Sequence, residues 1–190
     1  MLPFFSKNKY FLNWFRNPKI ASSDLNDTLF QKEAQQWLNR LKPQEKASGY
    51  QILQSIATAI GSHPKQIDLS NFTVSKFPEK LIIQWLSDLE SADFSKKNIQ
   101  SIAFINKLKK LKRLKLNDCK IKKINNINLP NLEHLSLSWN QLSGFKKCDL
   151  KKVTVLKINN NKIKELKKLL TIFPNIERLY LANNEIDKKA

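Results

Sequence analysis

Residues 111–142 read LKRLKLNDCKIKKINNINLPNLEHLSLSWNQL, and in this stretch Leu and Ile return at fixed places among many Lys and Asn residues. The close pair Leu114/Leu116 recurs as Leu135/Leu137, after a gap far longer than a helical turn of about 3.6 residues. A period of this length indicates a structural repeat and excludes one amphipathic helix as the explanation.

The same spacing is present in four consecutive units, whose first residues are 21 to 23 positions apart. Positions 4, 6 and 11 of each unit are apolar, and position 9 is Cys in the first unit and Asn in the other three. Counted from Leu111, Leu132, Val153 and Ile176, these positions are Leu114, Leu116, Cys119 and Ile121; Leu135, Leu137, Asn140 and Leu142; Leu156, Ile158, Asn161 and Ile163; and Leu179, Leu181, Asn184 and Ile186. Two earlier units keep the apolar positions but place Phe72 and Lys97 at position 9.

The pattern L-x-x-L-x-L-x-x-N/C-x-L resembles the signature of leucine-rich repeat proteins, and the repeat length is within the range of that family. The resemblance covers about residues 64–190. It implies an α/β solenoid of about six repeats, with a parallel β-sheet on its concave face and positions 4 and 6 buried in a shared core. A buried Asn at position 9 is expected to bind backbone groups of adjacent turns, and Cys119 is predicted to have the same structural role.

The residues before the repeats have helical spacing. Asp27 can cap a helix that continues to Leu41, and a second helix is predicted from about Pro43 to Ile60. We therefore expect residues 1–63 to contain an α-helical amino-terminal cap, continuous with the repeats of residues 64–190 in a single domain. Within the repeats, Pro78 is predicted as the first residue of a helix, and residues 164–173 can form one or two helical turns.

Residues 1–20 interleave aromatic with basic side chains. The aromatic residues are Phe4, Phe5, Tyr10, Phe11, Trp14 and Phe15, and the basic ones are Lys7, Lys9, Arg16 and Lys19. Such a segment can pack on the cap helices, or it can lie at an anionic membrane interface. Both interpretations are open at this point.

The charge of the chain is unevenly distributed. The whole chain carries 34 Lys and Arg against 16 Asp and Glu, a formal net charge of +18. Residues 1–94 hold 11 basic and 9 acidic side chains, whereas residues 95–190 hold 23 and 7. This excess favours acidic partners, but it does not choose between a protein surface, a nucleic acid and an anionic membrane.

Catalytic chemistry has little support in the residues. Two Cys and two His are too few for a structural zinc site or a disulfide framework, and three scattered Gly residues do not form a phosphate loop. No His is placed by sequence to activate Cys119. We therefore expect no enzymatic activity, no metal or other cofactor and no small-molecule substrate, and we expect a reducing, cytosolic environment.

In leucine-rich repeat proteins the non-core positions 2, 3, 5, 7 and 8 line the concave face, where partners of the family usually bind. Here these positions carry Arg, Trp and Tyr, which are enriched at binding hot spots. By this resemblance the predicted partner contacts are Arg113, Lys115, His134, Trp139, Lys157, Arg178 and Tyr180. The alternative site is a set of lysine pairs at other positions, Lys109/Lys110, Lys122/Lys123, Lys146/Lys147, Lys151/Lys152 and Lys167/Lys168.

The resemblance as a whole implies a non-catalytic module that binds a protein partner on the concave face. The alternative is a basic peripheral membrane or nucleic-acid binding protein that uses its lysine-rich surface. The abundance of Ile, Lys and Asn is typical of an AT-rich genome. The short regular units resemble those of eukaryotic phosphatase regulators and of effectors that intracellular bacteria inject into host cells, and the helical cap favours the effectors.

Overall fold

The computed structural model describes residues 27–62, 65–99 and 102–187, which contain a six-stranded parallel sheet. Its strands are three residues long and lie in the order β1–β2–β3–β5–β7–β8. They are β1 (Gln66–Asp68), β2 (Ser91–Asp93), β3 (Arg113–Lys115), β5 (His134–Ser136), β7 (Val155–Lys157) and β8 (Arg178–Tyr180). Each repeat unit therefore contributes one strand to the sheet, as the spacing predicts.

The pairing register of the sheet aligns equivalent positions of all six units. Leu114 at position 4 pairs with Ala92 on one side and with Leu135 on the other. The row continues to Ile67 in β1 and to Leu179 in β8. The predicted register is thus confirmed for the four regular units, and the two early units follow the same register despite their unusual position 9.

The return half of each unit differs from unit to unit. It contains α3 (Glu79–Trp85) in the first unit, a 3-10 helix (Ala103–Lys107) in the second and α4 (Leu166–Ile172) in the fifth. In the third and fourth units, β4 (Ile124–Asn125) and β6 (Phe145–Lys146) form a two-stranded parallel sheet. Pro78 precedes α3 as its N-cap residue, so the prediction that it is the first helical residue is off by one position.

Two helices precede the sheet, α1 (Asp27–Leu38) and α2 (Lys46–Ile60). Asp27 is already helical in α1 rather than a cap before it, and residues Pro43–Glu45 form a separate 3-10 turn before α2. At Gly49 in α2 an added Cβ would lie 2.6 Å from Leu41 Cδ1 and 2.8 Å from Leu38 Cδ2, so a larger residue would displace these two side chains. The absence of a side chain at Gly49 therefore lets Leu38 and Leu41 pack against α2.

The helices contact the first repeat at the β1 edge of the sheet. Trp37 Nε1 in α1 donates a hydrogen bond to the Lys76 carbonyl at 3.0 Å, and the Glu45 carboxylate accepts hydrogen bonds from the Ser75 amide and hydroxyl. This is the position that the expected amino-terminal cap would occupy. The predicted boundary between residues 63 and 64 and the aromatic, basic segment 1–20 lie outside the described residues.

The apolar core runs without interruption from Phe30 in α1 to Phe173 after α4. In its amino-terminal half three aromatic rings meet, with Phe77 5.1 Å from Phe94 and 5.6 Å from Phe104 between ring centroids. These separations are typical of favourable aromatic pairs. The seam between the first two units therefore contains an aromatic cluster.

The seams between the later units are tied by the asparagines at position 9. Asn140 Oδ1 accepts hydrogen bonds from the Cys119 and Ile121 amides, both at 3.0 Å, and its Nδ2 donates to the carbonyls of Leu116 and Leu137. Asn161 and Asn184 repeat this arrangement one and two units further on. Cys119 Sγ donates to the Phe94 carbonyl at 3.3 Å, a weaker version of the same contact, so its predicted structural role is confirmed.

Replacing Asn140 by Ala should lower the free energy of unfolding by about 3 kcal/mol, because two buried amides and at least one buried carbonyl lose their partners. Urea denaturation followed by circular dichroism measures the change. The neighbouring Gln141→Ala is the control, since Gln141 is exposed and should change stability by less than about 0.5 kcal/mol. Equal losses in the two variants would contradict this role of Asn140.

Candidate functional site

The outward face of the six-stranded sheet consists of two rows of side chains that cross the strands. We call this surface, with the adjoining positions 7 and 8, the concave face. In order from β1 to β8, position 3 carries Gln66, Ser91, Arg113, His134, Val155 and Arg178, and position 5 carries Asp68, Asp93, Lys115, Ser136, Lys157 and Tyr180. The chemistry of the face therefore changes across the strands, from acidic at β1 and β2 through cationic at β3 to aromatic at β8.

A groove with a volume of about 800 Å³ lies on this face, centred on β3, β5 and β7. Five of the seven predicted contacts line it, namely Arg113, Lys115, His134, Trp139 and Lys157. Arg178 and Tyr180 lie on β8, beyond the groove. Tyr180 is still connected with it, because Lys157 Nζ lies 5.1 Å from the centroid of the Tyr180 ring, a cation–π contact.

Asp93 and Val155 also line the groove, although neither was among the predicted contacts. Asp93 occupies position 5 of the unit that begins at Leu89, so applying the position rule to the irregular units would have found it. Val155 was passed over because an apolar residue at position 3 is easily assigned to the core. It is in fact largely buried, although it belongs to the outward row of the sheet.

An ion pair joins β2 and β3 across the floor of the groove, with Lys115 Nζ 3.1 Å from Asp93 Oδ2. Burial by itself would raise the pKa of Asp93, but hydrogen bonds from Ser95 and Lys115 outweigh it and hold that pKa below its ordinary value. Asp93 is therefore ionised at neutral pH. Its charge balances that of Lys115.

The floor of the groove at β5 is held in place by Asn117. The Ser136 hydroxyl donates to Asn117 Oδ1 at 2.8 Å, and the Ser138 amide donates to the same oxygen at 2.9 Å. His134 lies between Arg113 and Val155 in its row of the sheet and is half-buried. Ser136 at position 5 and Ser138 at position 7 have small side chains. They leave the open volume of the groove, and the longer side chains of neighbouring positions surround that volume.

Trp139 differs from its neighbours on this face in two respects. Its backbone conformation is disfavoured for a bulky residue, and its large apolar side chain is mostly exposed to solvent. It lies at position 8 with φ of 61°, and 66% of its surface is exposed. The other units from the second onward also have positive φ at position 8, where they carry Lys96, Asp118, Asn160 and Asn183. Asn and Asp tolerate the left-handed region, whereas for a bulky residue it is strained. Neither the fold nor burial therefore accounts for Trp at this position.

The backbone of Trp139 is nevertheless fixed. Its amide donates to the Asn159 carbonyl of the next unit at 2.9 Å, within the regular ladder of the solenoid. The backbone beneath the indole is therefore already ordered, so a partner that covers it has to order only the Trp139 side chain.

Lys97 lies at position 9, beneath the groove, with only 2% of its surface exposed. Its Nζ donates to the carbonyl of Ser95, a residue that lines the groove. Desolvation lowers the pKa of Lys97, which indicates that the ammonium is less well solvated here than in water. Lys97 thus replaces the donor function of Asn at position 9 but not its acceptor function.

The two cysteines are not placed for nucleophilic chemistry. Burial raises the pKa of both Cys119 and Cys148, so both remain thiols at neutral pH. Within the described residues no group of three or more His, Cys, Asp or Glu side chains could hold a metal ion. Among the described helices, none combines the length and hydrophobicity needed to cross a membrane.

The predicted lysine pairs form a basic surface that is separate from the groove. All ten lysines of these pairs are exposed, and none lines the groove. Part of this surface has local structural contacts: Lys109 Nζ donates to the Asn128 carbonyl at 2.8 Å, and Lys152 Nζ donates to Asn131 Oδ1 at 3.2 Å. The structure thus offers two distinct candidate surfaces.

Stacked units of about 22 residues with one parallel strand each, and an asparagine ladder at position 9 of the later units, define the architecture of a leucine-rich-repeat solenoid. Residues 131–153 match the family model of the Leucine Rich Repeat, and this span coincides with the unit that starts at Leu132. The chain therefore contains a leucine-rich repeat at these residues, within a solenoid of that architecture. Proteins of this class are in general protein–protein interaction modules rather than enzymes.

Two solved structures similar to this chain are internalins from Listeria monocytogenes. The internalin inlF is 22% identical over 56% of this chain and 38% of its own, with a TM-score of 0.38. The chain thus spans 38% of the length of that protein. The internalin inlC2 is 20% identical over 72% of this chain and 85% of its own, with a TM-score of 0.35. No curated protein matches the chain.

Trp139→Asn should raise the free energy of unfolding by about 1 kcal/mol, because Asn tolerates the left-handed backbone that strains Trp. The matched variant Trp139→Val should instead lower it, because a β-branched residue is disfavoured at positive φ. Urea denaturation followed by circular dichroism measures both changes. If the two variants had the same stability, backbone strain at position 139 would not contribute.

The stability of the wild type relative to Lys97→Met should increase as the pH is raised from neutrality toward 10.5, the ordinary lysine value. A lowered pKa in the folded state means that the unfolded chain binds this proton more tightly. The resulting penalty is fully present below the folded pKa and is lost as the pH rises through the unfolded value. Chemical denaturation at several pH values measures the difference. Exposed Lys96→Met is the control, and a pH-independent difference for Lys97→Met would contradict desolvation of its ammonium.

Proposed function

We propose that this chain binds a protein partner on its concave face, with Trp139 as the central anchor and no catalytic step. The observation that carries the proposal is the position of Trp139, which is 66% exposed at a left-handed backbone position where the equivalent residues are Lys, Asp or Asn. A residue that costs stability and gains little by burial is explained by recognition outside the chain.

The surroundings of Trp139 suit such an interface. The groove beside it is lined by Arg113 and Lys157, and Tyr180, 43% exposed, continues the aromatic surface at β8. Trp, Tyr and Arg are the residue types most enriched at hot spots, and the parallel ladder beneath them limits the order that binding must impose. Binding itself would be the mechanism, because a partner held on this face is sequestered, redirected or scaffolded.

The compartment and the wider role are also part of the proposal. Cys119 and Cys148 are both free thiols, which suits a reducing cytosol. The basic excess in residues 95–190 favours a partner with an acidic surface. We propose a bacterial effector that is translocated into a host cell and acts on a host protein, on the basis of the AT-rich composition and the helices that precede the repeats.

The second candidate function is binding of a polyanion or an anionic membrane through the lysine pairs. It is favoured by the exposure of all ten lysines on a surface separate from the groove. The two functions differ in their response to salt, because polyanion binding weakens steeply with ionic strength whereas an interface anchored by aromatic residues weakens modestly.

Affinity capture from host-cell lysate at low salt and at about 0.3 M salt tests the choice between these functions. The wild type should retain a discrete protein at both salt concentrations. Trp139→Asn should weaken that binding about thirtyfold or more, which corresponds to a hot-spot loss of about 2 kcal/mol. Lys32→Gln is the control, because it removes one exposed charge from α1, outside both the concave face and the lysine pairs. Capture of nucleic acid or lipid alone, removed by salt in every variant, would overturn the proposal.

A further inference from the structure

The concave face contains a sequence of charges that restricts how a partner can lie on it. Asp68 and Asp93 occupy position 5 of β1 and β2, Arg113 occupies position 3 of β3, and no acidic residue occupies position 3 or 5 of any later strand. Because the strands are parallel and in register, this order runs straight across the sheet. A partner that crosses the strands along these two rows therefore meets negative charge at β1 and β2 and positive charge from β3 onward, with the Tyr180 ring at β8. Outside these rows, the groove also contains Asp118 at position 8 of the third unit.

Within the groove, Arg113 is the cation of this series with neither an ion pair nor a ring contact among the described residues, and the other Arg of the series, Arg178, lies on β8 beyond the groove. Lys115 is neutralised by Asp93, and Lys157 lies against the Tyr180 ring. Among the described residues no carboxylate forms an ion pair with Arg113, whose side chain is exposed at the wall of the groove. An Arg side chain in this position can bind a carboxylate through two parallel hydrogen bonds.

The carboxylates on β1 and β2 repel an acidic residue of a partner from that side of the concave face. The Asp68 carboxylate accepts hydrogen bonds from the Ser70 amide and hydroxyl, and so does not turn away from the surface. Asp93 is held in the ion pair with Lys115. An acidic partner residue over β1 or β2 would be repelled, and such repulsion fixes the direction of a complex as effectively as attraction does.

The aromatic side of the face takes a different group. Trp139 lies one strand further than Arg113, on the turn that follows β5, at the carboxyl-terminal end of the groove. Trp139 lies five residues beyond His134, the residue that pairs with Arg113. One strand spacing of about 4.8 Å and up to about 16 Å along the chain therefore separate the two residues by on the order of 10–17 Å, the length of three to five extended residues.

We propose, as a deepening of the protein-binding function above, that the concave face recognises an extended segment with an acidic residue and a bulky apolar residue three to five positions apart. The acidic residue pairs with Arg113, and the apolar residue packs on Trp139. The acidic residue of the segment lies over β3. Asp68 and Asp93 repel it from β1 and β2, and the aromatic groups lie on the side of β3 that faces β8. The inference rests on the proposed function and specifies the chemistry of its partner.

Selection of displayed random 12-residue peptides on the purified full chain tests this inference while the natural partner is still unidentified. Wild-type protein should enrich peptides in which Asp or Glu is followed or preceded, three to five positions away, by Trp, Phe, Tyr or Leu. Arg113→Gln should lose the acidic preference and keep the apolar one. Trp139→Asn should do the reverse. Lys32→Gln, which removes one positive charge from α1 outside both candidate surfaces, should select the same peptides as the wild type.

Two results would overturn the inference. One is an acidic preference that Arg113→Gln leaves unchanged, which would assign it to the lysine surface, and the other is the absence of any peptide enriched on the wild type over an Arg113→Gln/Trp139→Asn double variant. Either result is distinguishable from failure of the proposed function. If the proposed function fails, the lysate capture also lacks a protein whose binding depends on Trp139. If such a protein is captured but the peptides show no acidic preference, the protein-binding function stands and only this description of the partner is wrong.

Discussion

The amide of the asparagine at position 9 is the interaction on which the regular part of this solenoid depends. Each unit must leave its strand by a sharp turn, and that turn exposes backbone groups that no strand can pair. Asn140 satisfies groups in its own turn and in the preceding one, with Oδ1 accepting from Cys119 and Ile121 and Nδ2 donating to Leu116 and Leu137. Because one side chain serves two units, the turns are forced to stack in register, and that stacking places the outward side chains in straight rows.

The same turn constrains what the protein can present to a partner. From the second unit onward, position 8 has positive φ whichever residue type it carries, so the fold rather than the residue determines this backbone conformation. Trp139 accepts this backbone at a cost in stability, and in return its indole projects from a fixed place beside the groove. Adjacent residues of one turn therefore have different roles. Asn140 stabilises the turn through its hydrogen bonds, and Trp139 is the residue that the turn exposes to a partner.

The inward half of the structure could be predicted from the sequence, whereas much of the outward half could not. Leu114, Leu135 and Leu156 were placed correctly because burial leaves few alternatives at positions 4 and 6. The ion pair of Lys115 with Asp93 was not predicted. The two residues belong to neighbouring units, and whether their side chains meet depends on side-chain conformations that the sequence does not specify. The start of α3 was one residue off, because Pro78 is compatible with both the N-cap and the first helical turn. All seven predicted contacts lie on the concave face, but their role in binding a partner is still a prediction.

The early and the later seams of the solenoid differ in how closely they fix one unit against the next. The first two units meet at the rings of Phe77, Phe94 and Phe104 and carry Phe72 and Lys97 at position 9, whereas Asn140, Asn161 and Asn184 each bind the preceding unit through their amides. A hydrogen bond weakens steeply when its geometry changes, whereas apolar contacts are not directional. The later units, which carry Trp139 and Tyr180, are therefore the part of the solenoid in which the spacing between neighbouring outward side chains is most closely fixed.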